Sequence, residues 1–229
     1  MKKVIITGAA GSLGKAAAKV FLDAGYSVIA TVSSAGSKED IVSHSNMEVY
    51  QVDLSDEAGA AKFIESVIKK DKKIDAALLL VGGFAMGHIA ATSGADLRKM
   101  FTLNFETAYY VVRPLFNHMM EMREGRIVLV GSRPALNAKD GKAMVAYALS
   151  KSLLFNLAAC LNEEAKGSGV VTNVIVPSTL NTESNRSAMP DKDPSKWVTP
   201  KEVAEIMKFV CSDTAGVLRE TVLKIYNNS

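Results

Sequence analysis

The sequence contains little cysteine, little histidine and little net charge, and these shortages exclude several kinds of site. Its two cysteines, Cys160 and Cys211, lie in apolar surroundings, and the three histidines have no mutual spacing typical of a metal site. We therefore expect no metal, and two buried thiols in a reducing compartment. The net charge is only +3 at neutral pH and is spread along the chain, so we expect no nucleic-acid partner.

Long hydrophobic runs and targeting signals are also lacking. No apolar segment of the sequence approaches the length that crosses a bilayer, and the first strand follows directly on Met1-Lys2-Lys3. We therefore expect a cytoplasmic protein with no membrane partner. The chain has no internal repeat and no room for a second large domain, but 48% of its residues are hydrophobic, enough for one sizeable core.

The stretch VIITGAAGSLG, at positions 4–14, is the strongest signal in the chain. It opens with an unbroken β-branched run, which is typical of a strand buried on both faces of a parallel sheet. A turn with three evenly spaced glycines follows, and residues 15–26 then show helical spacing that stops at Gly25. In a strand, turn and helix of this kind, backbone N–H groups and the positive end of the helix dipole meet a pyrophosphate.

We therefore predict a dinucleotide site at this turn, formed by Gly8, Gly11, Ser12, Leu13 and Gly14. The alternative is a plain surface turn, because three glycines alone are weak evidence. The strand before the turn and the helix after it favour the dinucleotide site.

The rest of the chain alternates apolar strands with helical segments. We predict further strands at 26–34, 47–53, 74–84, 125–136, 170–177 and 221–226, and helices at 57–70, 95–121, 147–165 and 200–213. Such alternation is typical of a parallel sheet with helices on both faces. The predicted fold class is therefore α/β, a single doubly wound Rossmann domain over residues 1–229.

The end of the second predicted strand is where a Rossmann fold meets the adenosine ribose. An acidic residue there would bind the 2′-hydroxyl of NAD, whereas this chain has Ser33 and Ser34, with Lys38 close behind. Two hydroxyls and a lysine suit a 2′-phosphate, which indicates NADP and leaves NAD possible. The alternative is that these residues only form a loop.

Two later strand ends supply further candidate cofactor contacts. Asp53 and Leu54, at the end of the third predicted strand, can reach the adenine. Gly82 and Gly83, at the end of the fourth, would let the cofactor pass close to the backbone.

Candidate catalytic residues lie on the next elements. Ser132 is at the C-terminal end of the fifth predicted strand, where α/β sheets carry their chemistry. Tyr147 and Lys151 are four residues apart on a predicted helix, so their side chains share one face. Asn104 lies among apolar residues in the long helical region, where an amide needs partners, so it is either a satisfied core amide or part of the site.

The polar segment 178–199 has no clear periodicity and contains the only tryptophan, Trp197. A loop of this length inside a compact domain is typical of a lid or binding loop, so we predict a substrate lid here. Pro177 ends the strand before it, and Thr182 follows shortly after. The segment has no pattern that identifies the substrate.

Together these residues resemble the short-chain dehydrogenase/reductase family over nearly the whole chain. The features that match are the glycine turn, DLSD at 53–56, Asn104, Ser132, the Tyr147/Lys151 pair, and Pro177 with Thr182. Within the family, VGGF at 81–84 and residues 180–205 resemble the subgroup that contains dihydropteridine reductase. That enzyme does not use the strand-five serine. Because this chain has Ser132, it also resembles the ordinary carbonyl reductases.

Three features depart from the family's common pattern. The glycine turn has the spacing TGxxGxxG, and Pro177-Ser178 replaces Pro-Gly. Residues 79–82 replace the usual Asn-Asn-Ala-Gly, which removes a sheet-stabilising asparagine. None of these changes alters the groups that would carry the chemistry.

The resemblance implies hydride transfer between NADP(H) and a carbonyl, an alcohol or a quinonoid, pterin-like compound. Tyr147 would donate the proton, Ser132 would hold the reacting oxygen, and Lys151 would lower the pKa of Tyr147 and bind the nicotinamide ribose. Asn104 would position a relay water, and Thr182 would contact the carboxamide. The alternative is an NADP-binding sensor or scaffold with little or no turnover.

The resemblance also implies a homodimer or homotetramer paired through the helices that carry Asn104 and Tyr147. These helices have apolar residues beyond one core-facing stripe, namely Tyr109, Tyr110, Leu153 and Phe155. The alternative is that both helices are buried within one domain.

Overall fold

The computed structural model describes residues 1–34, 41, 43–219 and 221–227. Its central sheet consists of β1 (Lys3–Thr7), β2 (Ser27–Val32), β3 (Met47–Gln51), β4 (Ala76–Leu79), β5 (Glu124–Val130), β6 (Gly169–Pro177) and β7 (Val222–Ile225). The spatial order is β3-β2-β1-β4-β5-β6-β7, and every neighbouring pair is parallel. This order confirms the predicted Rossmann fold.

Helices cover both faces of the sheet. They are α1 (Ser12–Asp23), α2 (Glu57–Asp71), α3 (Gly94–Phe101), α4 (Thr107–Met122), α5 (Arg133–Leu136), α6 (Ala138–Gly141), α7 (Val145–Glu164), α8 (Glu183–Ala188) and α9 (Pro200–Val210). One core lies between the sheet and α2, α4 and α7, and a second lies between the sheet and α1 and α9. The sheet is therefore doubly wound, as predicted.

The strand β1 shows why the central strands must be apolar throughout. Successive side chains of a strand point to opposite faces, so Ile5 packs in the first core whereas Val4 and Ile6 pack in the second. Both faces are covered, and all three side chains are fully buried. The unbroken β-branched run at the start of the chain follows from this position in the sheet.

Two helices begin at side-chain caps. The Asp56 carboxylate accepts hydrogen bonds from the backbone N–H groups of Ala58, at 3.2 Å, and Gly59, at 3.1 Å, and so caps α2. Thr199 and Glu202 form a capping box at the start of α9, with Pro200 in the first turn.

Several predicted strands were too long. β3 ends at Gln51 and β4 at Leu79, and β5 ends at Val130 because residues 133–136 form the helix α5. β6 ends at Pro177, as predicted. The sequence stays apolar or small for several residues past Leu79, so its pattern alone does not mark where the pairing of β4 stops. The long helical region comprises α3 and α4, joined by a wider π-helical turn at Thr102–Glu106.

The helix α7 corrects two expectations, that both cysteines are buried and that no apolar segment has the length that crosses a bilayer. Leu154, Ala158 and Leu161 form its buried stripe, and Cys160 lies on the exposed side, so the prediction that both cysteines are buried was wrong for Cys160 and right for Cys211. α7 also has the length and hydropathy of a membrane-spanning helix, the only such helix found in the described part of the chain. In the fold it packs against β6 as a core helix.

Candidate active site

The glycine turn after β1 has a backbone that other residues would disturb. Gly8 adopts φ +64°, in the left-handed region that favours glycine, and a Cβ on Gly14 would lie 2.3 Å from the Gly8 carbonyl oxygen. Gly11 is the N-cap residue of α1 and supplies no side-chain cap. Ser12 is exposed and Leu13 half-buried. The start of α1 is therefore built by tight backbone packing, as a phosphate site requires.

The ends of β1 and β4 are tied together by Thr7. Its hydroxyl oxygen accepts hydrogen bonds from the backbone N–H groups of Leu80, at 2.9 Å, and Val81, at 3.4 Å. A Cβ on Gly8 would lie 3.3 Å from Val81. The threonine thus joins the two strand ends in a chain that lacks the family's asparagine after strand four.

Asn104 links the loop after β4 to the helix α7. Its side chain is fully buried in the π-helical turn, and its Oδ1 accepts a hydrogen bond of 2.9 Å from the Gly83 N–H. Its Nδ2 donates to Ser150 Oγ at 3.0 Å, and Ser150 Oγ in turn donates to the Tyr147 carbonyl at 2.8 Å. Asn104 is therefore a satisfied core amide that also lies within the candidate site.

Lys151 lies beside the same loop. A Cβ on Gly82 would be 2.7 Å from Asn104 Oδ1 and 3.1 Å from Lys151 Nζ, so only glycine fits without displacing them. Lys151 is 6% exposed, and its Nζ donates to the Val130 carbonyl at 2.8 Å. Burial lowers the pKa of this lysine from 10.5 to about 8, because the charged form is penalised in an environment with little water.

Tyr147 and Ser132 meet in the same region. Burial raises the pKa of the Tyr147 phenol, and the neighbouring Ser132 hydroxyl acts weakly in the opposite direction. Ser132 is buried, and its Oγ makes no hydrogen bond of ordinary geometry to any described residue. Lys151 is not among the groups that shift the Tyr147 pKa, so the expected lowering of that pKa by the lysine is not found in this structure.

The sequence reasoning missed Phe84. Its ring is 60% exposed and meets the Tyr147 ring edge-on, with 5.1 Å between centroids. Met86 and Ile89, in the same loop, are also exposed. Residues 79–95 contain no aspartate, glutamate, lysine or arginine, a signal in the sequence that could have indicated an apolar wall beside Tyr147.

The candidate adenosine end lies on the other half of the sheet. Ser33 and Ser34 are exposed after β2, and Lys38 is outside the described residues. The Asp53 carboxylate is exposed and accepts from Ser55 Oγ at 2.6 Å, a bond that holds its pKa below the ordinary value. The Leu54 side chain is buried in the first core, so its backbone alone is open to a ligand.

The segment 178–199 has more structure than its sequence indicated. It contains α8 and a 3-10 turn at Pro194–Lys196. Leu180 pairs with Val198 as an isolated bridge. Pro177 is the last residue of β6, and the Thr182 Oγ1 accepts from the Asn185 N–H at 3.2 Å, which caps α8. The base of the segment is therefore fixed to the domain.

The apolar residues expected to lie outside the core divide into two kinds. Tyr109 is 39% exposed, and Leu153 is half-buried. Tyr110 and Phe155 pack against the first core instead. The premise for self-association is therefore wrong for the latter two.

No group of three potential metal ligands is found in the described ranges of the chain.

Comparison with known proteins identifies the family. Residues 2–193 match the model of the short chain dehydrogenase family. The chain belongs to the short-chain dehydrogenase/reductase family. It is 28% identical over 233 residues to 2,3-dihydro-2,3-dihydroxybenzoate dehydrogenase of Escherichia coli (strain K12), covering 94% of this chain and 91% of that protein. It is 24% identical to the 3-oxoacyl-[acyl-carrier-protein] reductase of Thermotoga maritima, covering 98% and 96% of the two chains.

Solved structures agree in fold with this chain. ElxO with NADP bound superimposes with a TM-score of 0.90 at 23% identity, covering 98% of this chain and 96% of that one. An oxidoreductase of the family from Burkholderia thailandensis superimposes with a TM-score of 0.86 at 26% identity, covering 98% and 90%. Family membership makes this chain an oxidoreductase that uses a nicotinamide cofactor and acts on a small-molecule substrate.

Proposed function

We propose that the protein is an NADP(H)-dependent carbonyl reductase whose substrates include planar quinonoid or pterin-like compounds. The observation that carries the proposal is the convergence of Asn104 and Lys151 beside Gly82, at the carboxyl edge of the sheet, with the Tyr147 phenol, on the same helix as Lys151, next to the Ser132 hydroxyl. A bound nicotinamide supplies the hydride. The residues around it must bind the oxygen of the substrate and deliver a proton.

Each candidate residue has a part in this reaction. The Ser132 hydroxyl, buried and without a bond of ordinary geometry, binds the carbonyl oxygen, and Tyr147 donates the proton to it as the alkoxide develops. Lys151 would bind the ribose hydroxyls of the cofactor, and its charge would favour the ionised form of the phenol. Asn104 fixes the Gly83 loop against α7 and holds the water that returns the proton.

The cofactor-binding residues extend across the sheet edge. We propose that Gly8, Gly11, Ser12, Leu13 and Gly14 hold the pyrophosphate through their backbone N–H groups. Asp53 and the backbone of Leu54 contact the adenine, and Gly82 and Gly83 let the cofactor pass. Pro177 and Thr182 orient the carboxamide of the nicotinamide.

We propose NADP rather than NAD as the preferred cofactor, because residues 31–34 contain no carboxylate that would repel a 2′-phosphate. Titration of nicotinamide fluorescence should show tighter binding of NADPH than of NADH. Ser33→Asp should weaken NADPH binding and spare NADH, and Lys38→Ala should act in the same direction if that lysine holds the phosphate. Equal affinities in the wild type would overturn this preference.

The substrate class rests on Phe84. Its exposed ring, set edge-on to Tyr147, can stack on a flat apolar group while the carbonyl reaches the phenol. The resemblance of VGGF and of residues 180–205 to the dihydropteridine reductase subgroup points to the same class. Residues 178–199 would close over the substrate as a lid. We propose further that the protein is cytoplasmic and forms a homodimer or homotetramer. Light scattering at micromolar concentration tests the oligomeric state.

The decisive test is turnover by matched variants on a panel of carbonyl, quinone and pterin substrates. Tyr147→Phe keeps the ring and removes the proton, so kcat should fall by about 100-fold or more, with NADPH affinity largely kept. Lys151→Ala should lower kcat and weaken cofactor binding together. Ser132→Ala should have a severe effect in an ordinary carbonyl reductase and a mild one in a dihydropteridine reductase-like site.

The competing function is a sensor or scaffold that holds NADP without turnover. That function predicts tight NADPH binding and no NADPH oxidation with any member of the panel. A Tyr147→Phe variant with wild-type turnover would contradict the assigned proton donor while leaving the enzyme reading intact.

A further inference from the structure

The last described residues of the chain contact three segments around the candidate site. β7 is the edge strand of the sheet, and the chain continues from it through Tyr226 to Asn227. These two residues contact the turn after β5, the residue after β6, and the C-terminal end of the segment 178–199. None of these contacts was expected from the sequence.

The contact with the β5 turn is made by the Tyr226 ring. The Arg133 guanidinium carbon lies 5.4 Å from the centroid of that ring, and the Arg133 Nε is 3.1 Å from the Asp140 carboxylate. Both contacts, one with an aromatic ring and one with a carboxylate, limit the movement of the guanidinium. Arg133 directly follows Ser132 and begins α5, and Ser132 is the N-cap residue of that helix.

The Tyr226 backbone and Asn227 form hydrogen bonds with the two ends of the segment 178–199. The Ser178 N–H donates to the Ile225 carbonyl at 2.9 Å, and the Ser178 Oγ donates to the Tyr226 carbonyl at 3.0 Å. The Asn227 Nδ2 donates to the carbonyl of the buried Trp197 at 3.3 Å. The two ends of the segment 178–199 are thus bonded to the same short stretch of chain that packs on Arg133.

The position of the Ser132 hydroxyl depends on contacts made by neighbouring residues. Its Oγ makes no hydrogen bond of ordinary geometry to a described residue, and it does not cap α5. The position of this hydroxyl beside Tyr147, whose pKa it lowers, depends on the backbone that carries it. That backbone is held by the hydrogen bond from the Ala135 N–H to the Ser132 carbonyl, at 3.2 Å, and by Arg133.

We propose that Tyr226 is a positioning residue for Ser132, acting through Arg133, and that it couples the Ser132 turn to the base of the segment 178–199. The proposal rests on the role of Ser132 given under the proposed function. Tyr226 touches neither substrate nor cofactor in this assignment. Its ring keeps the serine hydroxyl aligned with Tyr147, and misalignment of a reacting group by about 1 Å can cost on the order of 100-fold in rate.

The experiment compares Tyr226→Leu with Tyr226→Phe, which keeps the ring and the stacking on Arg133. With a substrate that the wild type reduces, Tyr226→Leu should lower kcat by about tenfold and leave the KM for NADPH within about twofold, because the glycine turn is not disturbed. Tyr226→Phe should retain wild-type kcat. Arg133→Met should reproduce the loss, and the double variant should be no worse than either single variant.

Hydrogen exchange measures the coupling without turnover. Amides of residues 133–141 should exchange faster in Tyr226→Leu than in the wild type or in Tyr226→Phe, while amides of α1 should be unchanged. Equal exchange in all three proteins would overturn the proposal, as would additive losses in the double variant. A wild type that binds NADPH but reduces nothing would refute the proposed function alone, since the exchange measurement still decides whether Tyr226 holds the turn.

Discussion

Replacing Lys151 by methionine should reduce the change of the free energy of unfolding with pH. Lys151 is 6% exposed, and burial lowers its pKa from 10.5 to about 8. Between these two values the unfolded chain binds a proton that the folded chain does not, so the free energy of unfolding of the wild type rises with pH. The lysine therefore destabilises the free protein most at neutral and acidic pH.

The size of the effect follows from the two pKa values. The full difference corresponds to roughly 3 kcal/mol, since one pKa unit is about 1.4 kcal/mol. Between pH 7 and pH 9.5 the wild type should recover about 2 kcal/mol of this. The Lys151→Met variant lacks the titrating group and should lack that gain, although it also loses the bond to the Val130 carbonyl at all pH values.

The assay is urea unfolding of the cofactor-free protein at several pH values from 6 to 9.5. The difference between wild type and variant cancels the titration of all other groups. Lys201→Met, on the exposed side of α9, serves as the control and should follow the wild type. Parallel stability curves for wild type and Lys151→Met would show that the lysine is not destabilised by burial, and the argument from its environment would fail.

Three further outcomes are expected. Gly14→Ala should lower NADPH affinity by about tenfold or more and destabilise the fold by roughly 1–3 kcal/mol, because its Cβ would meet backbone at 2.3 Å; unchanged affinity by fluorescence titration would contradict this. Cys160 should react with a thiol reagent in the native protein, whereas Cys211, whose pKa burial raises to about 12, should react only on unfolding; equal rates would refute the assigned burial. Ser150→Ala should cost roughly 1–3 kcal/mol and lower kcat by leaving a buried amide donor unpaired. Ser152→Ala, which removes a similar bond to the carbonyl three residues before it, should not, and equal melting temperatures for the two variants would count against the link.

The sequence by itself determined the fold class. β-Branched runs buried on both faces, helical spacing and glycine-punctuated turns are local patterns, and each reports the environment of its own segment. The strand and glycine turn at 4–14 and the helix that follows them were therefore predictable, and the residues of the candidate site were named from the same patterns. The pairing of Tyr147 with Lys151 on one face needed only the helical repeat.

The boundaries of the strands required the tertiary structure. Apolar and small residues continue past Leu79 through Met86, so hydrophobicity does not fall where the pairing of β4 ends. The exposure of Cys160 likewise depends on which face of α7 meets the sheet, and an apolar helix carries a weak pattern of faces.

The partners of the site residues were decided only by the fold. Asn104 joins Gly83 to Ser150, across 21 and 46 residues of sequence, and Lys151 bonds to the carbonyl at the end of β5. The Tyr226 ring, just after β7, meets Arg133, just after β5. Such contacts join residues that are distant in sequence, and local periodicity carries no information about which distant segment the parallel crossovers bring to the same edge.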